Sequence, residues 1–294
     1  MKIAIHGRNF SDQVKPFIQS MFDELARGQF EIQLSEGYRS YLDSSGISHH
    51  SRQTYSSYRD LFDADFAFSL GGDGTLLEAL THVGPRLIPI VGINIGRVGF
   101  LTTISPETPQ SFSKLLQALN TGDFRVDERT LICLESDQDL FDGVPFGLND
   151  VTITKTETSS MITVHTYVNG EFLNSYWADG LIISTATGST GYSLSCGGPL
   201  LMPYNTSFIV TPISPHNLNV RPIVIPDSSH LSFEVESRSN TFLVSVDSRF
   251  RTVDVSTRLA VRKEKFPARL VKMSDDNFLN TLRSKLNWGW DIRN

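Results

Sequence analysis

Ser69-Leu70-Gly71-Gly72-Asp73-Gly74-Thr75-Leu76-Leu77-Glu78-Ala79-Leu80 is the stretch on which the reading of this chain turns. It follows the apolar run Asp65-Phe66-Ala67-Phe68, which reads as a buried strand, and it leads into a helical pattern. Three glycines around one aspartate remove side chains where a backbone must turn sharply or let a ligand come close. Free N–H groups in such a turn, backed by a helix N-terminus, suit an anionic phosphate. The carboxylate of Asp73 would project into the same site. Beside a phosphate it is unfavourable unless it takes a proton or holds a cation, and that tension points to chemistry. A lone Gly-Gly-Asp-Gly is still more often a turn with a solvated acid. A second stretch, Asp179-Gly180-Leu181-Ile182-Ile183 followed by Ser184 to Ser195, changes the balance.

Outward from the turn, the grammar is that of an α/β unit. Lys2 to His6 is β-like, and Val14, Phe17, Ile18, Met21, Phe22 and Leu25 recur at helical spacing up to Gly28. Phe30, Ile32 and Leu34 alternate as a strand, and residues 44 to 60 are expected to form a mobile loop. His49-His50 reads as loop filler, because adjacent positions diverge and no partner spacing follows. Leu87 to Ile93 reads as another buried strand and runs into Asn94-Ile95-Gly96-Arg97-Val98-Gly99-Phe100-Leu101. Alternation of this kind argues for a parallel sheet, whose ligands collect at the carboxyl ends of the strands. Both glycine loops would lie there.

Pro106 to Leu119 predicts one more helix, and after Phe124 the pattern changes. Short β-branched and aromatic runs follow one another: Leu131–Glu135, Val151–Thr154, Ile162–Val168, Leu181–Thr185, Phe208–Pro212, Leu231–Val235, Phe242–Val246, Thr252–Val255 and Leu259–Arg262. Asn169-Gly170 marks a hairpin. Many short strands without helices between them suggest a β-sandwich. The expected fold is therefore an α/β N-terminal domain with a parallel sheet plus an all-β sandwich C-terminal domain. The first spans residues 1–105, the second 106–274, and a helical tail over 275–294 packs back on the first.

With 26 Lys+Arg against 32 Asp+Glu the net charge is -6, and no basic run is dense enough for a nucleic-acid surface. No window is long and apolar enough to span a membrane, and no signal peptide is visible. Cys133 and Cys196 are far apart and read as reduced thiols of a cytosolic protein. Common phosphate motifs fail: Thr187-Gly188-Ser189-Thr190 lacks a P-loop lysine, and Gly92, Gly96 and Gly99 miss the dinucleotide spacing. Gly188-Ser189-Thr190-Gly191 is not a nucleophile elbow. Between Ser184 and Ser195 stand seven Ser/Thr residues, two Gly and a Tyr, and such hydroxyls suit ribose, amide and phosphate oxygens. A capped helix start would also use them.

Gly71-Gly72-Asp73-Gly74-Thr75, the Gly92-to-Leu101 loop, Asn149-Asp150 and Asp179-to-Ser195 occur in an order that resembles the NAD kinases. His216-Asn217-Leu218-Asn219-Val220-Arg221-Pro222 and Leu282 to Gly289 resemble that family too. The resemblance implies phosphorylation of the adenosine-ribose 2′-hydroxyl of NAD by ATP, with Asp73 as general base. It implies that Gly71, Gly72, Gly74 and Thr75 serve phosphates and that Asn149 and Asp150 contact the dinucleotide. It also places Asp179, Thr187, Thr190, Gly191, Tyr192, Ser193, Ser195 and Asp247 at the cofactor. Mg²⁺ dependence, a cytoplasmic location and a homotetramer are further implications; the metal ligands are left open. Departures are Asp150 for Glu, Gly191 for Ala, Ala186 for Pro, Arg249 for Gln and Trp177 for Arg. A lipid or sugar kinase with the same loop, or a non-catalytic dinucleotide sensor, are the alternatives.

Overall fold

In the computed structural model, which describes residues 1–96, 99–102, 110–157, 160–274 and 276–287, strand and helix alternate from the start. The first elements are β1 (Lys2–Gly7), α1 (Lys15–Arg27), β2 (Glu31–Ser35), α2 (Glu36–Ser44), β3 (Gln53–Tyr55) and β4 (Phe66–Leu70). They continue as α3 (Asp73–Val83), β5 (Ile90–Ile93), α4 (Gln110–Thr121) and β6 (Phe124–Arg129). Then come β7 (Ile132–Ser136), β8 (Phe146–Gly147), β9 (Asp150–Lys155), β10 (Ile162–Val168), β11 (Glu171–Ala178) and β12 (Gly180–Thr185). A 3₁₀ turn (Thr187–Thr190) and α5 (Tyr192–Ser195) precede β13 (Ser207–Ile213), β14 (Ile223–Pro226), β15 (Leu231–Glu236), β16 (Thr241–Val246), β17 (Arg249–Asp254) and β18 (Leu259–Lys263). The chain closes with β19 (Ala268–Met273) and α6 (Phe278–Leu286).

Two compact units result, Met1–Glu128 with Ala268–Asn294, and Arg129–Pro267. In the first, seven strands run in the order β3-β2-β1-β4-β5-β19-β6. Pairing is parallel from β3 through β19. β4 is buried along its whole length, as a strand covered on both faces must be. α1 buries Ile18, Met21, Phe22 and Leu25, one stripe at 3.6-residue spacing. Each such side chain contributes about 1.5–3 kcal/mol relative to exposure. The chain winds outward from β1 to β2 and β3, then returns to place β4 on the other side of β1. That reversal opens a crevice at the carboxyl ends of β1 and β4, where Gly7-Arg8 and the Gly71–Asp73 turn lie.

In the second unit two six-stranded sheets, β11-β10-β15-β18-β7-β8 and β14-β13-β12-β9-β16-β17, enclose one core. β10, β15 and β16 alternate buried and more exposed positions, the pattern of a sheet with one face on the core.

The division falls after Glu128, not after residue 105, because Phe112, Leu115, Leu116 and Leu119 of α4 join the first unit's core. The second crossing comes before Ala268 and not at 275, since β19 pairs with β5 through Leu270 and Ile90. Residues 44 to 60 are not one loop: they hold the end of α2 and the strand β3. His49 there is buried, with Nε2 3.0 Å from Asp43 Oδ1. The tail forms α6, capped by the Asn277 side chain and seated through Leu282. Arg97-Val98, the start of the helix expected from Pro106, and Trp288-Gly289 lie outside the described residues.

Candidate active site

In the first unit, Gly72 caps α3 and Asp73 is its first residue. Both oxygens of Asp73 are engaged. Oδ2 accepts the N–H of Phe100 at 2.7 Å. Oδ1 accepts the N–H of Leu101 at 3.0 Å, that of Thr102 at 3.1 Å and the Thr102 hydroxyl at 3.1 Å. A carboxylate offers roughly four acceptor positions, two on each oxygen. Oδ1 is filled, whereas among the described residues Oδ2 takes one bond and can accept a substrate hydroxyl. Gly99 makes this approach possible, because a Cβ there would overlap the Asp73 carboxylate.

The loop that supplies these donors is itself fixed. Asn94 Nδ2 donates to Thr102 Oγ1 at 3.1 Å, and Asn94 Oδ1 accepts the Gly96 N–H at 2.8 Å. Buried Lys272 of β19 donates to the Leu101 carbonyl at 3.2 Å. Gly72 is part-buried and Gly74 exposed, so the turn opens to solvent, while Thr75 is buried.

Next to the turn is a cluster that sequence reasoning missed. Arg8 Nε donates to Glu78 Oε2 at 2.7 Å, and His6 Nε2 stands 3.1 Å from the same oxygen. His6 Nδ1 lies 2.9 Å from Ser35 Oγ. His6, Arg8, Tyr38, Tyr55, Glu78 and His82 line a cavity of about 400 Å³ at the ends of β1, β2 and β3. The close approach of His6, with help from Arg8 and against burial, holds Glu78 down at about 2. Burial, then His6, pushes His82 down to about 4.

Glu78→Gln is therefore expected to destabilise the protein in a pH-dependent way. The folded pKa lies below the ordinary value, so the carboxylate's contribution is complete above about 4.5 and fades as pH falls toward about 2. Urea midpoints should differ more between the two proteins at pH 7 than at pH 3. An equal gap at both would remove the ionic account.

In the second unit, Asn149 and Asp150 sit where the chain enters β9, and the hydroxyl stretch leaves the end of β12. Burial and the charge of Asp247 push Asp150 up to about 7, opposed by a bond from Thr152. Gly191 approaches both, since a Cβ on it would stand 3.9 Å from Asn149 Nδ2 and from Asp150 Oδ2. The hydroxyls divide into two groups. Thr185 Oγ1 donates to the Leu148 carbonyl at 2.6 Å, Ser189 to Ala186 at 2.7 Å, and Ser193 pairs with Thr211 at 2.9 Å. Ser193 is fully buried and Thr187 nearly so, taking a bond from Arg129 at 3.3 Å. These shape the turn from inside. Thr190 is part-buried, Tyr192 and Ser195 are exposed, and Asp179 is ion-paired with Lys155 at 2.6 Å. Trp177 is 45% exposed and its ring packs on His216 at 4.2 Å. Cys133 and Cys196 are free thiols.

A parallel α/β unit that holds an acid at a glycine turn, in one chain with an antiparallel sandwich bearing a hydroxyl-rich turn, has the make-up of a phosphotransferase. Residues 19–124 match the ATP-NAD kinase N-terminal domain family, and residues 148–273 match the ATP-NAD kinase C-terminal domain family. The NAD kinase of Cytophaga hutchinsonii is 50% identical over 296 residues, covering 100% of both chains. Among solved structures, an NAD kinase from Archaeoglobus fulgidus in complex with ATP is 28% identical, with TM-score 0.75 over 98% of this chain and 99% of that one. Yeast NADH kinase complexed with NADH shares the fold, with TM-score 0.84 at 21% identity over 100% of this chain and 89% of that one. The chain belongs to the NAD kinase family, and the lipid-kinase, sugar-kinase and sensor alternatives are not favoured.

Proposed function

We propose that this protein transfers the γ-phosphoryl group of ATP to the 2′-hydroxyl of the adenosine ribose of NAD, forming NADP and ADP. The observation that carries the reading is Asp73, whose Oδ1 is filled by the Leu101–Thr102 donors while Oδ2 retains room for a hydroxyl. The ribose hydroxyl donates to Oδ2, which orients it and takes its proton as the O2′–P bond forms. The bond from γ-phosphorus to the bridging oxygen breaks, and ADP leaves. The N-terminus of α3 and the open Gly72–Gly74 turn face the phosphates. Arg8 and the cavity at the ends of β1 to β3 support the nucleoside side of ATP.

In this reading the first unit supplies the base and the turn for the donor phosphates, and the second offers contacts to the dinucleotide. Asn149, Asp150, Asp179, Thr190, Gly191, Tyr192 and Ser195 are the contacts offered to NAD. Thr187, Ser193 and Thr75, being buried, support the turns that carry such contacts.

Mg²⁺ belongs to the proposal as the companion of the ATP phosphates. Among the described residues no group of three or more His, Cys, Asp or Glu could hold a metal. A cation that binds chiefly through phosphates and water needs none. A cytoplasmic enzyme of NADP biosynthesis, assembled as a homotetramer, completes the reading. No helix among the described residues is long and apolar enough to cross a membrane. Incubation of the purified protein with ATP, Mg²⁺ and NAD, followed by an NADP-specific coupled assay, tests it; no NADP above background would end it.

A further inference from the structure

β8 belongs to one sheet of the second unit and β9 to the other, so residues 147 to 150 cross between them. Main-chain N–H groups at such a crossing leave their ladder and need another acceptor. Asp247 is that acceptor. Its Oδ2 accepts from Leu148 at 2.8 Å, and its Oδ1 accepts from Asn149 at 2.8 Å and Asp150 at 3.2 Å. Its own N–H donates to the Asp150 carbonyl at 2.9 Å. Asp247 opens the two-residue turn between β16 and β17 with φ of 51°, the left-handed conformation that a tight hairpin asks for and that Asp tolerates. A Cβ on Gly147 would meet the Asp247 carboxyl at 2.8–2.9 Å, so this contact needs a glycine.

The same turn delivers Arg249, on the other polarity of the same segment. Its Nη1 and Nη2 donate to the carbonyls of Val144 and Phe146, both at 2.6 Å, with the guanidinium over the Phe141 ring. On the opposite side, the Thr185 N–H donates to the Asn149 carbonyl at 2.9 Å. The segment that presents Asn149 and Asp150 is thereby held by one hairpin at three consecutive amides, 148 to 150, and at three carbonyls, those of Val144, Phe146 and Asp150.

We propose that Asp247 and Arg249 are positioning residues, a clamp that sets the Asn149–Asp150 pair in the conformation that recognises the ribose hydroxyls of a dinucleotide. Both carboxylate oxygens of Asp247 are taken up by main chain, so it acts through that pair and not as a ligand contact. The clamp rests on the reading of Asn149 and Asp150 as dinucleotide contacts. It also accounts for arginine at position 249, where relatives of the family were expected to carry Gln: a guanidinium spans two carbonyls at once, which a single amide does not.

Asp247→Asn keeps the shape but turns one acceptor into a donor facing a main-chain N–H. KM for NAD should rise by roughly 10- to 100-fold, the loss expected for one charge-assisted bond, with kcat within about 3-fold of the parent. Hydrogen exchange of the amides of Leu148 to Asp150 should quicken in Asp247→Asn. Arg249→Gln should show the same effects more weakly, and it serves if the first variant does not fold. The pH profile adds a reading that packing alone would not move. Asp150 is pushed up by burial and by the charge of Asp247, and it also faces Tyr192 and the Thr152 hydroxyl. Burial pushes Asp247 up as well, against three main-chain donors and Arg249, which favour its carboxylate. Removing that charge should move the midpoint of the KM profile to lower pH. Folded variants with unchanged KM and unchanged exchange at 148–150 would overturn the clamp. If the parent protein makes no NADP, the proposed function falls instead, and exchange still decides the clamp.

Discussion

Asp73→Asn is expected to lower kcat for NADP formation by about 10²–10⁴-fold, the usual contribution of a positioned base, with NAD affinity changed far less. A ribose hydroxyl is a poor nucleophile at neutral pH, and phosphoryl transfer depends chiefly on positioning and on stabilising charge. The amide keeps the outline of the carboxylate but cannot take the proton. It also turns an NH₂ toward one of the donors at Phe100 to Thr102, so part of the loss comes from a loosened loop. Affinity should persist because the contacts proposed for Asn149, Asp150 and the Thr190-to-Ser195 turn would remain. Metal ligation is the rival role, and it predicts that raised Mg²⁺ would partly restore turnover. Calorimetric titration with NAD, beside kcat at several Mg²⁺ concentrations, separates the two. Near-normal turnover would reduce Asp73 to a turn residue.

Gly99→Ala should lower kcat by about 10²-fold without touching any group that reacts. The added methyl would overlap the Asp73 carboxylate, so either the carboxylate or the loop carrying Phe100 to Thr102 must move. A displacement of about 1 Å at a reacting group costs on that order. The fold should survive, because Gly99 lies in a loop and the first unit's core is built from other elements. Steady-state kinetics beside a thermal melt check this. A folded variant with parental kcat would mean that the Asp73–loop contact is not what sets the base.

Much of the architecture was legible because it is written locally. An uninterrupted apolar run ending in glycines gave β4 and its turn, and period-two alternation gave β10, β15 and β16. Asn169-Gly170 marked its hairpin because both residues adopt positive φ, 52° and 84°. What escaped is non-local. Ala268–Met273 falls within the expected sandwich span without reading as a strand, and only its pairing with β5, reached through Leu270 and Ile90, shows β19 as part of the first sheet. α2 buries only Tyr38 and Leu42, too few to display a period.

The site follows the same rule. Asp73 was visible in its glycine frame, but its partners at 100 to 102 are mostly main-chain amides, which leave no mark on side-chain identity. Gly99 and the Thr102 hydroxyl are their traces. The His6–Arg8–Glu78 cluster joins positions some 70 residues apart, and no spacing announces it. For Asp247 the sequence suggested a cofactor contact, whereas its oxygens lie on the main chain of Leu148 to Asp150.

The central claim is tested most directly by the position of the transferred phosphate. Purified protein given γ-³²P-labelled ATP, Mg²⁺ and NAD should yield labelled NADP that an NADP-specific dehydrogenase accepts, with the label on the 2′-oxygen and none on product made by Asp73→Asn above about one part in 10². Label that stays in ATP, or appears on another hydroxyl or on a lipid or sugar offered alongside, would contradict the account.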